Sequence, residues 1–356
     1  LLVNSASLAF SFAIDADHLV NLGSGIQSPM KNPGKATPKI LVVGSANSDL
    51  TIRVPRLPKP GETVTGGAFS TAPGGKGANQ AVAAARAGGD VTLIARLGND
   101  AFASQAIEGF ARDGIHVELI SRDPKIPTGV ALIIVGANGE NSIAVASGAN
   151  AALSASIIRN AASAFRGASA VLVQLETPLG AVQAVAALAR THGVPLILNP
   201  APARTIPDSL LRLVSILTPN QSEAAALAGR DVRDPDSAAE AATVLRRRGA
   251  KAVIITLGKL GALVVADGVS GLVPGFKVKP VDTTAAGDVF NGAFAVALGE
   301  GKPLLEAARF ANGASAISVT RPGAQPSAPT RREIEQFLAT RGVRPRKKNF
   351  RNTSTL

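Results

Sequence analysis

From Lys39 to about Val319 the chain alternates short apolar runs with helical stretches, and that rhythm restricts the folds open to it more than any other feature. Ile40-Leu41-Val42-Val43-Gly44 reads as a buried strand closed by glycine, and Ala78 to Ala87 as an alanine-rich helix ended by Gly88-Gly89. Further strands are expected at Val91 to Ala95, Ala170 to Gln174, Pro195 to Leu198, Ile216-Leu217 and Ala252 to Thr256. Helices are expected at Phe102 to Arg112, Leu179 to Arg190, Glu223 to Ala228, Ala238 to Arg248, Val289 to Leu298 and Leu304 to Val319. Alternation of this kind predicts a mostly parallel sheet covered by helices on both faces. Two stretches break the rhythm. Glu62 to Ala72 and Gly129 to Val145 read as short strands joined by turns, one of them at Asn138-Gly139. They fit either a small sheet folded out over one edge, a natural lid, or an ordinary β excursion.

A length of 356 residues suits one large domain or two smaller ones, and a 46% hydrophobic content with mean hydropathy +0.22 supplies a sizeable core. Cysteine is absent, which excludes disulfides, thiolate metal sites and a cysteine nucleophile and fits a reducing, cytoplasmic setting. The three histidines, His18, His116 and His192, show no ligand spacing, and His192 before Gly193 reads as a helix end. The net charge of +12 is unevenly spread: Arg341, Arg344, Arg346, Lys347, Lys348 and Arg351 supply six positive charges in the last sixteen residues, with no acid. With no Tyr or Trp to stack on bases, this end reads as a disordered basic tail rather than a nucleic-acid or membrane contact. Leu1 to Gln27 holds no Lys or Arg and carries Asp15 and Asp17, unlike a secretory or transit signal, and Leu8 to Ile14 is too short to span a bilayer. The single methionine, Met30, is the expected natural start.

The chemistry concentrates at loops between elements. Val281-Asp282-Thr283-Thr284-Ala285-Ala286-Gly287-Asp288 leads into an apolar helix. Small residues at 285 to 287 crowd backbone amides at a helix start, a place for an anion. Asp288 in the same turn suits phosphoryl transfer to a hydroxyl that must lose its proton. Pro73-Gly74-Gly75-Lys76-Gly77-Ala78-Asn79-Gln80 fits neither the P-loop nor the dinucleotide pattern, yet its glycines permit close backbone approach to a ligand, with Lys76 and Asn79 as donors. After the first strand, Asn47 and Asp49 are two residues apart, face the same way in extended chain and suit vicinal sugar hydroxyls. Gln174 and Glu176, and the Asn199-Pro200-Ala201-Pro202 turn, end two more strands. Asn220 and Glu223 share a helix face and either reach Mg²⁺ waters or form a capping box. Thr256-Leu257-Gly258-Lys259-Leu260-Gly261 is a glycine-punctuated strand exit able to border a nucleotide.

In this order and spacing, PGGKGANQAVAAARAG, NPAPA, TPN-x-x-E, TLG-x-x-G and DTTAAGD resemble the ribokinase-like family of carbohydrate and nucleoside kinases, over roughly Lys39 to Arg341. The resemblance implies a three-layer α/β/α sandwich with a β-sheet lid that also makes a homodimer interface. Its expected organisation is an amino-terminal extension over 1–37, a catalytic domain over 38–340 with lid segments near 50–72 and 128–146, and the tail over 341–356. The implied activity is ATP-dependent phosphorylation of D-ribose at O5, with a fructokinase-like or adenosine kinase-like activity as the alternative. Asp288 would be the base, and Ala285, Ala286 and Gly287 the anion hole. Asn47, Asp49, Gly75, Lys76, Gly77, Asn79 and Glu176 would bind the sugar. Asn220, Thr256 to Gly261, Gly287 and Asn312 would line the ATP site, with Glu223 near Mg²⁺. A K⁺-type monovalent cation would sit among Asp282, Thr284, Ser318, Arg321, Gly323 and Ser327. Two departures are visible: Asn312 stands where the family pattern suggests histidine, and Ser318 where it suggests alanine.

Overall fold

A computed structural model describes residues 36–341. The expected extension as far as residue 35, Met30 included, and the tail beyond Arg341 lie outside the described residues. The first half runs β1 (Lys39–Val43), β2 (Asn47–Val54), β3 (Ala68–Gly74), α1 (Lys76–Arg86), β4 (Asp90–Gly98), α2 (Ala101–Arg112), β5 (Ile120–Asp123), β6 (Gly129–Gly136) and β7 (Asn141–Ala146). It continues through α3 (Ala155–Asn160), β8 (Ala170–Val173), α4 (Leu179–Thr191), β9 (Leu196–Leu198), α5 (Asp208–Leu211), β10 (Ile216–Leu217), α6 (Gln221–Ala228) and α7 (Pro235–Arg247). Last come β11 (Ala252–Thr256), β12 (Gly261–Ala266), β13 (Val269–Pro274), α8 (Ala286–Gly299), α9 (Leu304–Ser318) and α10 (Arg331–Ala339).

Nine described strands form one sheet in the order β13-β12-β11-β10-β9-β8-β1-β4-β5, parallel from β11 to β5. The antiparallel β12–β13 hairpin at its edge was not expected from the sequence. Alternation along β1 divides the core. Ile40 and Val42 pack with α1, α8 and α9 on one face, while Leu41 and Val43 pack with α4 and α7 on the other. The result is the expected three-layer sandwich. Phe294, fully buried on α8, contributes enough that Phe294→Ala costs about 3–5 kcal/mol.

The second sheet, β3-β2-β6-β7, is the lid-like appendage. Its first strand begins at Asn47, so Asn47 and Asp49 face the same way in extended chain, as expected, but already belong to the small sheet, whose edge was expected near residue 50. Glu62 to Gly67 is also not strand, contrary to expectation. Glu62 folds back onto Lys59 and the Arg56 guanidinium, and pairing resumes only at Ala68. Both roots of the appendage are pinned to the sandwich. Asp100, the N-cap of α2, accepts from the amide and hydroxyl of Thr128 at 2.8 and 2.7 Å, just before β6. Asn150, just past β7, donates to the Asn47 carboxamide at 2.7 Å and accepts from the Ala46 amide at 2.9 Å.

Candidate active site

The strands of the large sheet end their parallel run at one side, and polar residues follow them there: Ser45 after β1, Glu176 after β8, Asn199 after β9 and Asn220 after β10. Open α/β sheets bind ligands at this edge. The decisive turn is at the start of α8. Its N-cap, Ala285, has φ 57° and ψ 14°, the one non-glycine residue with positive φ among those described, a conformation that costs roughly 1–2 kcal/mol. No side chain caps this helix. Asp282 holds the preceding turn by accepting from the Thr284 amide at 2.9 Å and hydroxyl at 2.6 Å. The amides of Gly287 and Asp288 lie in the first turn, where a helix offers them no acceptor of its own. A Cβ built on Gly287 would meet nothing within 4 Å, so space opens over this turn.

Asp288 is 5% exposed and both carboxylate oxygens are held: one by the Asn79 carboxamide and one by that of Gln80, each at 3.0 Å. These donors stand on α1, which packs against α8 at Gly292. A Cβ there would come within 2.6 Å of the Gln80 carbonyl oxygen, so a larger residue would push the two helices, and the donors, apart. Gly75 serves a related purpose. With φ 86° it turns the chain into α1, and its missing Cβ would lie 2.7 Å from Ala46 and Asn47. Close backbone approach in this loop is therefore to the β1–β2 link of the protein itself.

Glu176 accepts from the Ser45 hydroxyl at 2.5 Å and the Lys76 amide at 3.0 Å, while the Gly77 amide reaches Ser45 at 3.4 Å. Asp49 stands over Gly74, where a Cβ would lie 2.2 Å from its carboxylate. Asn47, Asp49, Lys76, Gly77, Asn79, Glu176 and Asp288 thus meet at one seam between the two sheets. Their charges interact. Burial, reinforced by Glu176 and Asp288, pushes Asp49 up to about 6. Burial also raises Asp288, against the opposing pull of Lys76 and the two carboxamides. Burial alone would lower the Lys76 ammonium, but Asp288, Glu176, Glu223 and Asp49 outweigh it and raise its pKa.

Beside this seam lies a more open rim. Asn220 and Glu223 form a capping box for α6, with the Glu223 carboxylate taking the Asn220 amide and carboxamide at 2.9 Å each. Burial raises Glu223 against its bond to Asn220 and the nearby Lys76. Asn220 bridges to Thr256 at the end of β11. Leu257 is buried, its amide on the Gly261 carbonyl at 2.8 Å, whereas Gly258, Lys259 and Leu260 form an exposed short helical turn. Asn312 donates to the carbonyls of Val273 and Pro274 at 3.0 and 3.3 Å and so fastens the end of β13. Just ahead of α8 and beside the end of α9, Asp282 takes the Gly323 amide at 2.8 Å, and the Arg321 amide binds the Ser318 carbonyl at 2.9 Å. The Arg321 guanidinium turns away to Glu333, and Ser327 bonds its hydroxyl to Ala324. Despite partial burial, the Thr284 and Gly323 donors hold Asp282 below the usual carboxylate range.

A buried carboxylate beside helix-start amides that no side chain caps, with a polar seam on one side and a strand-end rim on the other, suits phosphoryl transfer to a hydroxyl. The family described as pfkB family carbohydrate kinase matches residues 37–331. The chain belongs to the pfkB family of carbohydrate kinases. A ribokinase from Haemophilus influenzae is 47% identical over 299 residues, 84% of this chain and 98% of the relative. A ribokinase structure from Thermotoga maritima matches with a TM-score of 0.78 and 40% identity, over 85% of this chain and 99% of that one. An Arabidopsis thaliana ribokinase solved with ribose and ATP matches with a TM-score of 0.81 and 35% identity, over the same shares.

Sequence reasoning missed several residues of this pfkB-family site. Asn150 orients Asn47, Ser45 orients Glu176, and Gln325 donates to the Asn79 carboxamide oxygen at 3.2 Å. Gln80 and Asn291 are 0% and 1% exposed on helix faces whose buried residues are mostly apolar. That mismatch between a polar side chain and an apolar helix face was the available signal, because buried amides demand partners.

Proposed function

We infer that this chain transfers the γ-phosphoryl group of ATP to the 5-hydroxyl of D-ribose, giving D-ribose 5-phosphate and ADP. The observation that carries it is Asp288, buried and gripped by Asn79 and Gln80 at the uncapped start of α8. The sugar assignment is supported by the ribokinases that this chain matches along nearly their full length.

Asn47, Asp49, Asn79 and Glu176 would hold the ribose hydroxyls so that O5 meets Asp288. Even a raised carboxylate cannot deprotonate an alcohol in its ground state. Asp288 instead orients O5 and takes its proton as the new P–O bond forms and the bond to ADP breaks. The amides of Gly287 and Asp288, at the positive end of the helix dipole, would face the phosphoryl oxygens and gather their charge. Lys76 adds a cation to the same space. Asn220, Thr256 to Gly261 and Asn312 would border the nucleotide.

Among the described residues no three His, Asp or Glu side chains converge as a metal cage. This suits Mg²⁺ delivered on ATP phosphates, with Glu223 and Asn220 reaching it through water. When bound, the ion would neutralise phosphate charge. Asp282, held below the usual carboxylate range by the Thr284 and Gly323 donors, would attract a monovalent cation, with Thr284, Ser318, Arg321, Gly323 and Ser327 as the expected surroundings. The small sheet carries Leu50, Ile52, Phe69, Leu132 and Ile134 on the face opposite Asp49, with Phe69 66% and Leu132 54% exposed. A second copy of the chain would cover that face in a homodimer. We place the action in the cytoplasm, where ATP is regenerated; no helix among the described residues is long and apolar enough to cross a membrane.

ADP release measured with ribose, deoxyribose, fructose and adenosine, with and without K⁺, tests the assignment. Ribose should show the highest kcat/KM and K⁺ should raise the rate. A higher kcat/KM for another acceptor would overturn the substrate.

A further inference from the structure

Behind Asp288 runs a chain of buried amides that closes on itself. The Gln80 carboxamide nitrogen donates to Asp288 and also to the Asn199 oxygen at 3.1 Å. Asn199 donates to the Thr218 carbonyl at 2.9 Å, and the Thr218 hydroxyl donates to the Asn291 oxygen at 2.6 Å. Asn291 donates to the Gly287 carbonyl at 2.8 Å. That carbonyl belongs to the peptide whose N–H is the Asp288 amide. The path therefore leaves the Asp288 side chain, crosses α1, β9 and β10, and returns to the Asp288 backbone.

An ionised carboxylate only accepts, which fixes the polarity of every other member. Gln80 must present its nitrogen to Asp288, so its oxygen faces away and takes the Gln174 carboxamide at 2.6 Å. Asn199 must then present oxygen to Gln80 and nitrogen to Thr218. Asn291, with its nitrogen on Gly287, must accept from Thr218. Gln80, Gln174, Thr218 and Asn291 are each 1% exposed or less, so water cannot replace a lost partner cheaply.

We propose that this ring, with Gln80 and Thr218 as positioning residues, locks the base and the phosphoryl-facing Asp288 amide into one alignment for transfer. The inference rests on Asp288 being the base. The lock is needed because the turn it steadies has open space over Gly287 and a left-handed Ala285, neither of which constrains the peptide plane from the solvent side.

The test uses the full chain with Gln80→Leu, Thr218→Val, the double variant and Asp288→Asn, each followed by ADP release and ribose titration. Thr218→Val deletes one hydroxyl of the ring and touches neither Asp288 nor the sugar seam. Misalignment predicts that Gln80→Leu loses on the order of 10- to 100-fold in kcat with ribose KM little changed. Thr218→Val should lose a smaller factor in the same parameter. Members of one unit are not additive, so the double variant should fall scarcely below Gln80→Leu alone. Losses that multiply, or wild-type kcat in Thr218→Val, would overturn the ring. If Gln80→Leu fails to fold, the kcat of Thr218→Val decides alone. Near-normal turnover in Asp288→Asn would instead remove the base itself, a separate failure from that of the ring.

Discussion

The large sheet and the small one use similar apolar residues and bury them to opposite extents. Ile40 to Val43 in β1 are each 1% exposed or less, whereas every residue of β7 is exposed and Ile143 and Val145 are 56% and 57% so. Helices cover the first on both faces, while the second is held by its roots at Thr128 and Asn150. The difference separates two tasks. Groups that must not move, Asp288 and its amide partners, lie against the buried sheet. Asn47 and Asp49, the groups proposed to meet an arriving sugar, lie on the lightly packed one.

That division predicts which kinetic parameter each residue controls. Asp288→Asn should lose at least ~100-fold in kcat while ribose still binds, as for other acid–base groups. Titrating ribose into this variant by calorimetry checks the second half, and loss of binding would blur the division. Asp49→Ala should act mainly on ribose KM, raising it roughly 10- to 100-fold, the worth of hydrogen bonds to a charged group. A fall in kcat at constant KM would assign Asp49 to the chemistry instead.

The pH dependence sharpens the same contrast. Asp49 is raised from 3.8 to about 6, and Asp288 is raised in the same direction by burial. Both must be ionised to act, so kcat/KM should fall by about tenfold per unit as pH drops below the Asp49 pKa. Stability moves the other way. Between pH 3.8 and about 6 the folded chain holds a proton on Asp49 that the unfolded chain has released, so this group's contribution falls as pH rises through that window. Asp49→Asn should remove that component from a melting-temperature profile.

Phe69→Lys tests the outer face of the small sheet. It should shift the sedimentation coefficient toward a single copy, since an exposed aromatic of this kind is a typical anchor, while leaving the melting of the large sheet unchanged. An unaltered coefficient would remove that face as the contact. The smallest effect is expected from Asn312→His: the loss of a carboxamide that fastens β13 should cost about 1 kcal/mol and change the KM for ATP modestly, read from the same ADP assay.

The sandwich was legible because its strands and helices announce themselves by period: Ile40 to Val43 and Ala78 to Ala87 need no tertiary information. The turn at Asp288 was legible as well, since small residues before a helix carry their own chemistry. The start of the small sheet at Asn47 rather than near residue 50 was not, because the residues there are held by Asn150, about a hundred positions away. The β12–β13 hairpin and the amide ring were hidden for the same reason: their partners are distant in sequence and near only in space.

Only Gly44 to Ala46 separate β1 from β2, so Asn47 and Asp49, the side chains proposed to hold the sugar, stand at the root of the small sheet and not at its tip. A swing of the outer strands about that root would displace Phe69 more than Asn47 or Asp49. If those side chains hold ribose as proposed, the sugar would be gripped at a part of the cover that moves little, whatever the position of the outer strands.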